Sequence, residues 1–213
     1  MTTRGLLRLT HRMSRIRTVC VYCGSSPGAR PQHMQAAEAL GKALAEAGIG
    51  LVYGGGNIGL MGGIARATLA HGGHVTGIIP RFLVEREAML ADVQELIVTA
   101  DMHERKRLMF ERSDAFVALP GGIGTLEELV EQLTWVQLGR HDKPILMLDL
   151  DGFWSPLIAL FDHMTTEGFL RQGAEVPFVV TSEVEEIIPA LLRAAPVIEE
   201  LMDEREGAPI DQF

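Results

Sequence analysis

The stretch that decides the fold is LPGGIGTLEE, residues 119–128 of the 213-residue chain. Before it lies a short apolar run, Asp114–Leu119, of the kind that forms a buried strand in a parallel sheet. After it, apolar residues recur at helical spacing from Leu126 to Val136, so we expect a helix that begins near Thr125. The glycines of this stretch therefore lie in a turn from a strand to a helix.

This turn is well suited to an anion. Glycine accepts positive φ angles and lets a ligand approach the backbone closely. The helix that follows adds free N–H groups and the positive end of its dipole, which together favour a phosphate. Glu128, one turn into the helix, would then face the group that the phosphate carries. A second interpretation needs no ligand, because Thr125 and Glu128 have the spacing of a capping box, with Thr125 as the N-cap and Glu128 at N3.

Strand-like and helix-like segments alternate along the whole chain. The predicted strands are residues 17–23, 50–53, 74–79, 95–99, 114–119, 144–148 and 178–181. The predicted helices, besides the one after the glycine turn, are residues 31–47, 60–71, 102–112, 155–166 and 184–194. This alternation predicts an α/β fold, a Rossmann-like doubly wound parallel sheet with helices on both faces, in a single domain.

The composition fits one folded domain with short tails. The chain is 47% hydrophobic and 22% charged, which are ordinary values for a globular protein. We expect a disordered basic extension at residues 1–14, the Rossmann-like domain at residues 15–196 and an acidic tail at residues 197–213. The net charge of −9 argues against nucleic acid as a partner, and no apolar run is long enough to span a membrane.

Glycine-rich loops follow three of the predicted strands, at residues 24–26, 54–59 and 121–124. The carboxyl ends of parallel strands share one edge of the sheet, and ligands bind there near the point where the strand order reverses. The three loops together therefore predict a nucleotide-sized site.

The second of these loops also fits a dinucleotide site. Gly54-x-Gly56-x-x-Gly59 has the dinucleotide-binding spacing, which is weak evidence by itself. The next predicted strand ends in Pro80-Arg81, without the acid that would bind the ribose of NAD. Arg81 could meet a 2′-phosphate instead, so an NADP-binding module stays open as an alternative.

Several other chemistries lack their motifs. The sequence has neither a P-loop pattern nor the His-Glu-x-x-His pattern of a zinc peptidase. Cys20 and Cys23 are spaced like a redox pair or half a zinc site, but no second Cys or His pair completes a metal site. Since strand residues three apart face opposite sides, we interpret both as buried, unpaired thiols, which suit a reducing cytoplasm.

A basic run, Met102–Arg107, opens the helix before the central strand, and Asp101 with Glu104 has the pattern of its capping box. Positive charge at a helix N-terminus opposes the macrodipole. A nearby anionic ligand would explain that placement, and the alternative is a solvated basic face. Glu87, in the loop after the third strand, is either a site residue or a solvated acid.

Four motifs occur in the order of a known family. They are Cys23-Gly24-Ser25-Ser26, Tyr53-Gly54-Gly55-Gly56-x-x-Gly59-Leu60-Met61-Gly62, Met102-His103-Glu104-Arg105-Lys106 and Pro120-Gly121-Gly122-x-Gly124-Thr125-x-x-Glu128. Over residues 17–194 the chain resembles the Lonely Guy family, the cytokinin riboside 5′-monophosphate phosphoribohydrolases, whose members were often labelled lysine decarboxylases. The chain has only three lysines, which argues against that label because a pyridoxal enzyme needs a lysine for its Schiff base.

The resemblance implies hydrolysis of the N-glycosidic bond of a purine riboside 5′-monophosphate, either AMP or a cytokinin-type nucleotide, to the free base and ribose 5-phosphate. It implies Arg105 and Glu128 as the catalytic pair. The substrate-binding residues that it implies are Ser25, Gly55, Glu87, Lys106, Gly122, Ile123, Gly124, Thr125 and Thr134. The phosphate would lie on the turn from Gly122 to Thr125.

The resemblance further implies that no metal and no organic cofactor is needed. It also implies a homodimer with the active site close to the partner subunit. The open alternative is a non-catalytic nucleotide-binding module of the same fold. Such a module would have no need for Arg105 and Glu128 together, so the presence of both residues favours the enzyme.

Overall fold

The computed structural model of the protein describes residues 16–84, 90, 92–170 and 178–195. The expectations for the extension at residues 1–14, for Glu87 and for the tail at residues 197–213 concern parts of the chain outside these ranges.

Within these ranges seven strands form one sheet, and every pairing in it is parallel. The strands are β1 (Thr18–Tyr22), β2 (Gly50–Tyr53), β3 (Val75–Pro80), β4 (Glu95–Thr99), β5 (Ala115–Ala118), β6 (Ile145–Leu148) and β7 (Val179–Thr181). Their order across the sheet is β4-β3-β2-β1-β5-β6-β7. The order reverses between β1 and β5, which opens a crevice at the carboxyl ends of these two neighbours.

The helices lie on both faces of the sheet. They are α1 (Pro31–Glu46), α2 (Gly59–Ala70), α3 (Met102–Glu111), α4 (Ile123–Gln137) and α5 (Ser155–Thr166), followed by helical residues 187–195. Single 3-10 turns occupy Arg81–Leu83, Leu150–Gly152 and Val184–Glu186. One core cluster joins the sheet to α1, α2 and residues 187–195, and the other joins it to α3, α4 and α5. The doubly wound, single-domain fold that the sequence predicts is therefore confirmed.

Strand β1 shows why the strands read as continuous apolar runs. Val19 and Val21 face one core cluster, whereas Cys20 and Tyr22 face the other. Cys23 lies on the side opposite to Cys20, and both thiols are unpaired. Burial raises the pKa of each thiol well above its ordinary value, and the nearby charge of a carboxylate adds to the effect. The prediction of two buried structural thiols is confirmed.

One predicted helix start is wrong, whereas the last helical segment starts at Val184 as predicted. The helix after the glycine turn begins at Ile123 with Gly122 as its N-cap, and its first hydrogen bond runs from Leu126 N to Gly122 O at 3.0 Å. Thr125 is therefore N3 rather than the N-cap, and Glu128 lies too far along α4 to close a capping box. The buried face of α4 begins after its first residues, because Ile123 is exposed and Gly124 has no side chain, so the sequence pattern points to a later start. The last predicted helix opens with the 3-10 turn Val184–Glu186 before residues 187–195 continue as α-helix.

The described ranges contain no helix long and apolar enough to cross a membrane.

Candidate functional site

The three glycine loops are in contact at the crevice between β1 and β5. The N–H of Gly24, in the loop after β1, donates to Pro120 O at 3.1 Å, and Leu60 N at the start of α2 donates to Gly24 O at 3.0 Å. Gly59 has a φ of +59°, and a side chain there would collide with the backbone of Ser25. Close backbone contacts of this kind explain why each loop carries glycine.

The N-terminus of α4 forms the open side of the crevice. Gly122 and Gly124 are exposed, and a Cβ at either position would meet no atom within 4 Å. Gly121 is different, because a Cβ there would lie 2.6 Å from Thr125 Cβ. Helix geometry leaves the first N–H groups of α4 without partners inside the helix, so the turn can accept an anion.

Behind this turn lies a buried ion pair between α3 and α4. Arg105 is 6% exposed and Glu128 is 8% exposed, and their Nη2 and Oε1 atoms are 3.5 Å apart. Arg105 Nη1 is 3.7 Å from Met102 Sδ, a weak acceptor. Arg105 Nε is buried and has no hydrogen-bond partner among the described residues. A buried cation with an unused donor is costly unless a ligand completes its contacts.

The charge of Glu128 acts on the carboxyl end of β1. Burial is the main cause that raises the pKa values of Cys20, Tyr22 and Cys23, and the charge of Glu128 raises all three further. The Glu128 carboxylate is therefore close enough to the carboxyl end of β1 to act on its residues.

Lys106 occupies a different place from its neighbour Arg105. Its Nζ atom contacts Glu127 Oε1 at 2.6 Å and Glu131 Oε1 at 2.9 Å. Burial alone would lower the pKa of Lys106, but hydrogen bonds and charge from Glu127 and Glu131 outweigh it and raise the pKa. The lysine lines a surface cleft of about 350 Å³ between α3 and α4, which also contains Trp135. Its contacts within the chain are those of a largely buried charge paired with two carboxylates.

Three further residues that the sequence predicts to bind substrate, Ser25, Gly55 and Thr134, lie in different surroundings. Ser25 is exposed and its backbone lies against Gly59 of α2. Gly55 is buried with a φ of +79°, and a Cβ there would lie 2.9 Å from Ile79 Cβ, so its glycine serves packing against β3. Thr134 is exposed, its hydroxyl donates to Val130 O, and it lies about 16 Å along the α4 axis from Ile123.

Sequence reasoning missed two features of this site. It did not show that Gly54 lies directly against the Arg105 guanidinium, because no local pattern connects β2 with α3. It also did not show that Arg105 Nε lacks a partner within the described residues. Among the same residues, no group of three or more His, Cys, Asp and Glu side chains is arranged to hold a metal ion.

Comparison with known proteins identifies relatives across most of the chain. A family described as "Possible lysine decarboxylase" matches residues 61–191. A probable cytokinin riboside 5′-monophosphate phosphoribohydrolase of Oryza sativa subsp. japonica is 46% identical over 89% of this chain and 78% of its own length. A cytokinin riboside 5′-monophosphate phosphoribohydrolase of Arabidopsis thaliana is 42% identical over 94% of this chain and 92% of its own length.

Solved structures share the fold at lower identity. A molybdenum cofactor binding protein from Rippkaea orientalis superimposes with a TM-score of 0.62 at 24% identity, covering 83% of this chain and 96% of that protein. The molybdenum cofactor carrier protein of Chlamydomonas reinhardtii gives a TM-score of 0.63 at 24% identity, covering 84% and 98%. At this identity the likeness concerns the fold alone.

Proposed function

Because the chain belongs to the Lonely Guy family of cytokinin riboside 5′-monophosphate phosphoribohydrolases, we propose that it hydrolyses the N-glycosidic bond of a purine riboside 5′-monophosphate. The substrate is AMP or a nucleotide with an N6-substituted adenine, and the products are the free base and ribose 5-phosphate. The observation that carries the proposal is the buried Arg105–Glu128 pair behind an open glycine turn at the N-terminus of α4.

Each part of this arrangement has a role in the proposed reaction. The turn from Gly122 to Thr125 binds the 5′-phosphate through backbone N–H groups and the helix dipole. Cleavage passes through a sugar with oxocarbenium character, as in glycoside hydrolysis. The Glu128 carboxylate stabilises that positive charge and orients the attacking water. Water adds to C1′ as the C1′–N bond breaks, and the bonding electrons go to the base. The Glu128 carboxylate takes one proton from the water, and this proton passes through solvent to the departing base, which restores the carboxylate.

Arg105 supports the same step. Its charge keeps Glu128 ionised, and its unused Nε donor supplies a hydrogen bond to a ribose or phosphate oxygen. This contact gives the Nε–H group of Arg105 the hydrogen-bond acceptor that it lacks among the described residues. The proposed reaction needs no metal and no organic cofactor.

The lysine decarboxylase description of the matching family is a label. The amino group of each of the three lysines already has a partner within the chain. Lys42 pairs with Glu46, and Lys143 donates to the Phe110 carbonyl. Lys106 pairs with Glu127 and Glu131. A pyridoxal enzyme needs a lysine free to form the Schiff base.

Release of adenine from AMP tests the proposal. Purified protein, incubated with AMP or an N6-substituted adenosine monophosphate in the presence of EDTA, should release the free base, measured by chromatography. Adenosine should react poorly, because the phosphate supplies binding energy remote from the reacting bond. Equal turnover of AMP and adenosine would contradict the role of the glycine turn. Binding of AMP without any turnover would instead identify the non-catalytic, nucleotide- or NADP-binding module.

We propose further that the protein is a homodimer and that α4 lies at its interface. Three large apolar side chains on one face of α4 and its end are exposed, Ile123 at 82%, Val130 at 38% and Leu138 at 70%. They recur at intervals of about two helical turns, so they form one apolar stripe. Thr134 lies on the same face, where contact with a partner would bring it close to a second subunit. The two unpaired thiols suit a reducing compartment, and we propose a cytoplasmic location.

A further inference from the structure

One residue of the glycine run after β2 does not need to be glycine for its backbone conformation. Gly55 and Gly59 have left-handed φ angles of +79° and +59°, whereas Gly54 has no positive φ. Any L-residue could adopt the conformation of Gly54. The reason for glycine must therefore lie in the space around its Cα.

The Arg105 guanidinium fills that space. A Cβ on Gly54 would overlap Arg105 Nη2, and it would lie 3.5 Å from Arg105 Cζ and 3.0 Å from Met61 Sδ. Both neighbours are the ends of flexible side chains, one from α3 and one from α2. A methyl group at this position would displace the side chains and leave the backbone in place.

Few polar contacts hold the guanidinium in position. The ion pair with Glu128 is long at 3.5 Å, and the contact with Met102 Sδ is 3.7 Å. Among the described residues, the buried Nε atom has no hydrogen-bond partner. The orientation of Arg105 therefore depends on the close fit of its guanidinium against Gly54 as well as on its contacts with Glu128 and Met102.

We propose that Gly54 is a positioning residue for Arg105. The missing side chain forms a socket at the carboxyl end of β2 that keeps the guanidinium within reach of Glu128. The inference rests on the proposed function, since it concerns catalysis only if Arg105 acts on the substrate. It gives Gly54 a role distinct from that of the first glycine in a dinucleotide fingerprint, which serves the tight turn.

The first test is Gly54→Ala. We expect kcat for AMP to fall about 100-fold, because a displacement of about 1 Å in a catalytic group has that effect. KM should change less than kcat. The melting temperature should fall by no more than it does in Glu128→Gln, because the backbone stays in place and only the buried Arg105–Glu128 pair is weakened. The matched control is Gly50→Ala at the other end of β2, where a Cβ would lie 3.3 Å from Thr18 Cγ2, 3.6 Å from Arg17 O and 3.8 Å from His74 O. The control should leave kcat unchanged.

A double-mutant cycle separates the socket from a general packing effect. Lysine lacks the planar guanidinium, so Gly54→Ala should lower the residual kcat of Arg105→Lys by no more than about threefold. An equal loss in both backgrounds would show that Gly54 acts on the backbone or the ligand, which would overturn the inference.

A crystal structure of Gly54→Ala gives a readout that needs no turnover. The Arg105 Nη2 to Glu128 Oε1 distance should lengthen beyond about 4 Å, outside the range of an ion pair. An unchanged guanidinium position would overturn the inference. If the wild-type protein proves inactive on all riboside monophosphates, the proposed function fails, while this structural result still decides whether the socket exists.

Discussion

A carboxylate that is buried beside an arginine can hold two helices together, take part in chemistry, or do both. Glu128 is such a group, and because it does not close a capping box, Glu128→Gln removes its charge without affecting the start of α4. We expect hydrolysis of AMP to fall at least about 100-fold, a typical scale for a positioned acid–base or electrostatic group. AMP binding, measured by calorimetry, should persist because the glycine turn is unchanged.

The matched control is Glu127→Gln. Glu127 is half-exposed and pairs with Lys106, which keeps its second partner Glu131. This variant should retain most of its turnover. Glu128→Gln also leaves the Arg105 charge without its anion and should cost up to about 3 kcal/mol of stability, so the binding measurement is needed to show a folded protein. If Glu128→Gln still hydrolyses AMP at a rate close to that of the wild type, the role of Glu128 is structural and not catalytic.

His141 predicts a dependence of stability on pH. Its ring packs against Phe110 and Phe116, and its Nδ1 accepts a hydrogen bond from Lys143 N at 3.1 Å. Burial and then the charge of Lys143 lower the pKa of His141 from 6.5 to about 4, although Asp142 opposes them. The unfolded chain therefore binds the proton more readily between these pH values, and stability falls as the pH decreases through them.

Urea unfolding of the wild type and His141→Gln measures this effect. Between pH 7.5 and pH 5 the wild type should lose about 2 kcal/mol more than the variant. Asp and Glu residues titrate in both proteins, so their contribution cancels in the comparison. Parallel losses in the two proteins would show that His141 titrates normally in the folded state.

At the scale of the single element, residue spacing predicts the N-terminus of α3 but not that of α4. The N-cap of α3 is confirmed, since Asp101 Oδ1 accepts from Glu104 N at 2.9 Å. The reciprocal bond differs from a capping box, because Glu104 Oε2 accepts at 2.7 Å from Ala100 N, one residue before the N-cap. All its atoms lie within five residues, so sequence spacing is sufficient. The start of α4 lies two residues before the predicted one, because the Ile123 side chain is exposed and so lies off the buried face from which the periodicity is read. Only the backbone hydrogen bonds of the folded chain identify Gly122 as its N-cap.

The first turn of α4 can be tested with Gly124→Ala. A Cβ there would meet no atom within 4 Å, so alanine should stabilise the helix by about 0.5–1 kcal/mol. The same methyl group would stand where the phosphate approaches, so KM for AMP should rise several-fold while turnover of adenosine is unaffected. Steady-state kinetics and thermal unfolding measure both effects.

Gly41→Ala in α1 is the opposite case. A Cβ on Gly41 would lie 2.5 Å from Ile64 O of α2, so this variant should lose stability and keep a normal KM. If Gly124→Ala has the same KM for AMP as the wild type, the phosphate does not bind at the glycine turn.

At the scale of the whole molecule, alternation of elements is sufficient to predict a parallel, doubly wound sheet. It is not sufficient to bring Arg105 and Glu128 together, because they belong to separate helices and no spacing rule connects them. Their pairing follows from the reversal of strand order, which places α3 and α4 side by side on one face. Before the structure, only resemblance to a family suggested that the two residues act jointly.

The apolar stripe on α4 carries the last prediction, which concerns assembly. If Ile123, Val130 and Leu138 form the dimer contact, Val130→Glu should give a monomer, because it buries an unpaired charge at the centre of the stripe. Sedimentation velocity measures the change in mass. Leu160→Glu on α5 is the control, because that side chain is also exposed, at 45%, but lies on another helix, and this variant should stay dimeric.

If Val130→Glu is still a dimer, the dimer interface lies on a surface other than the apolar stripe of α4. A monomeric Val130→Glu with normal turnover would show that one subunit contains the complete active site.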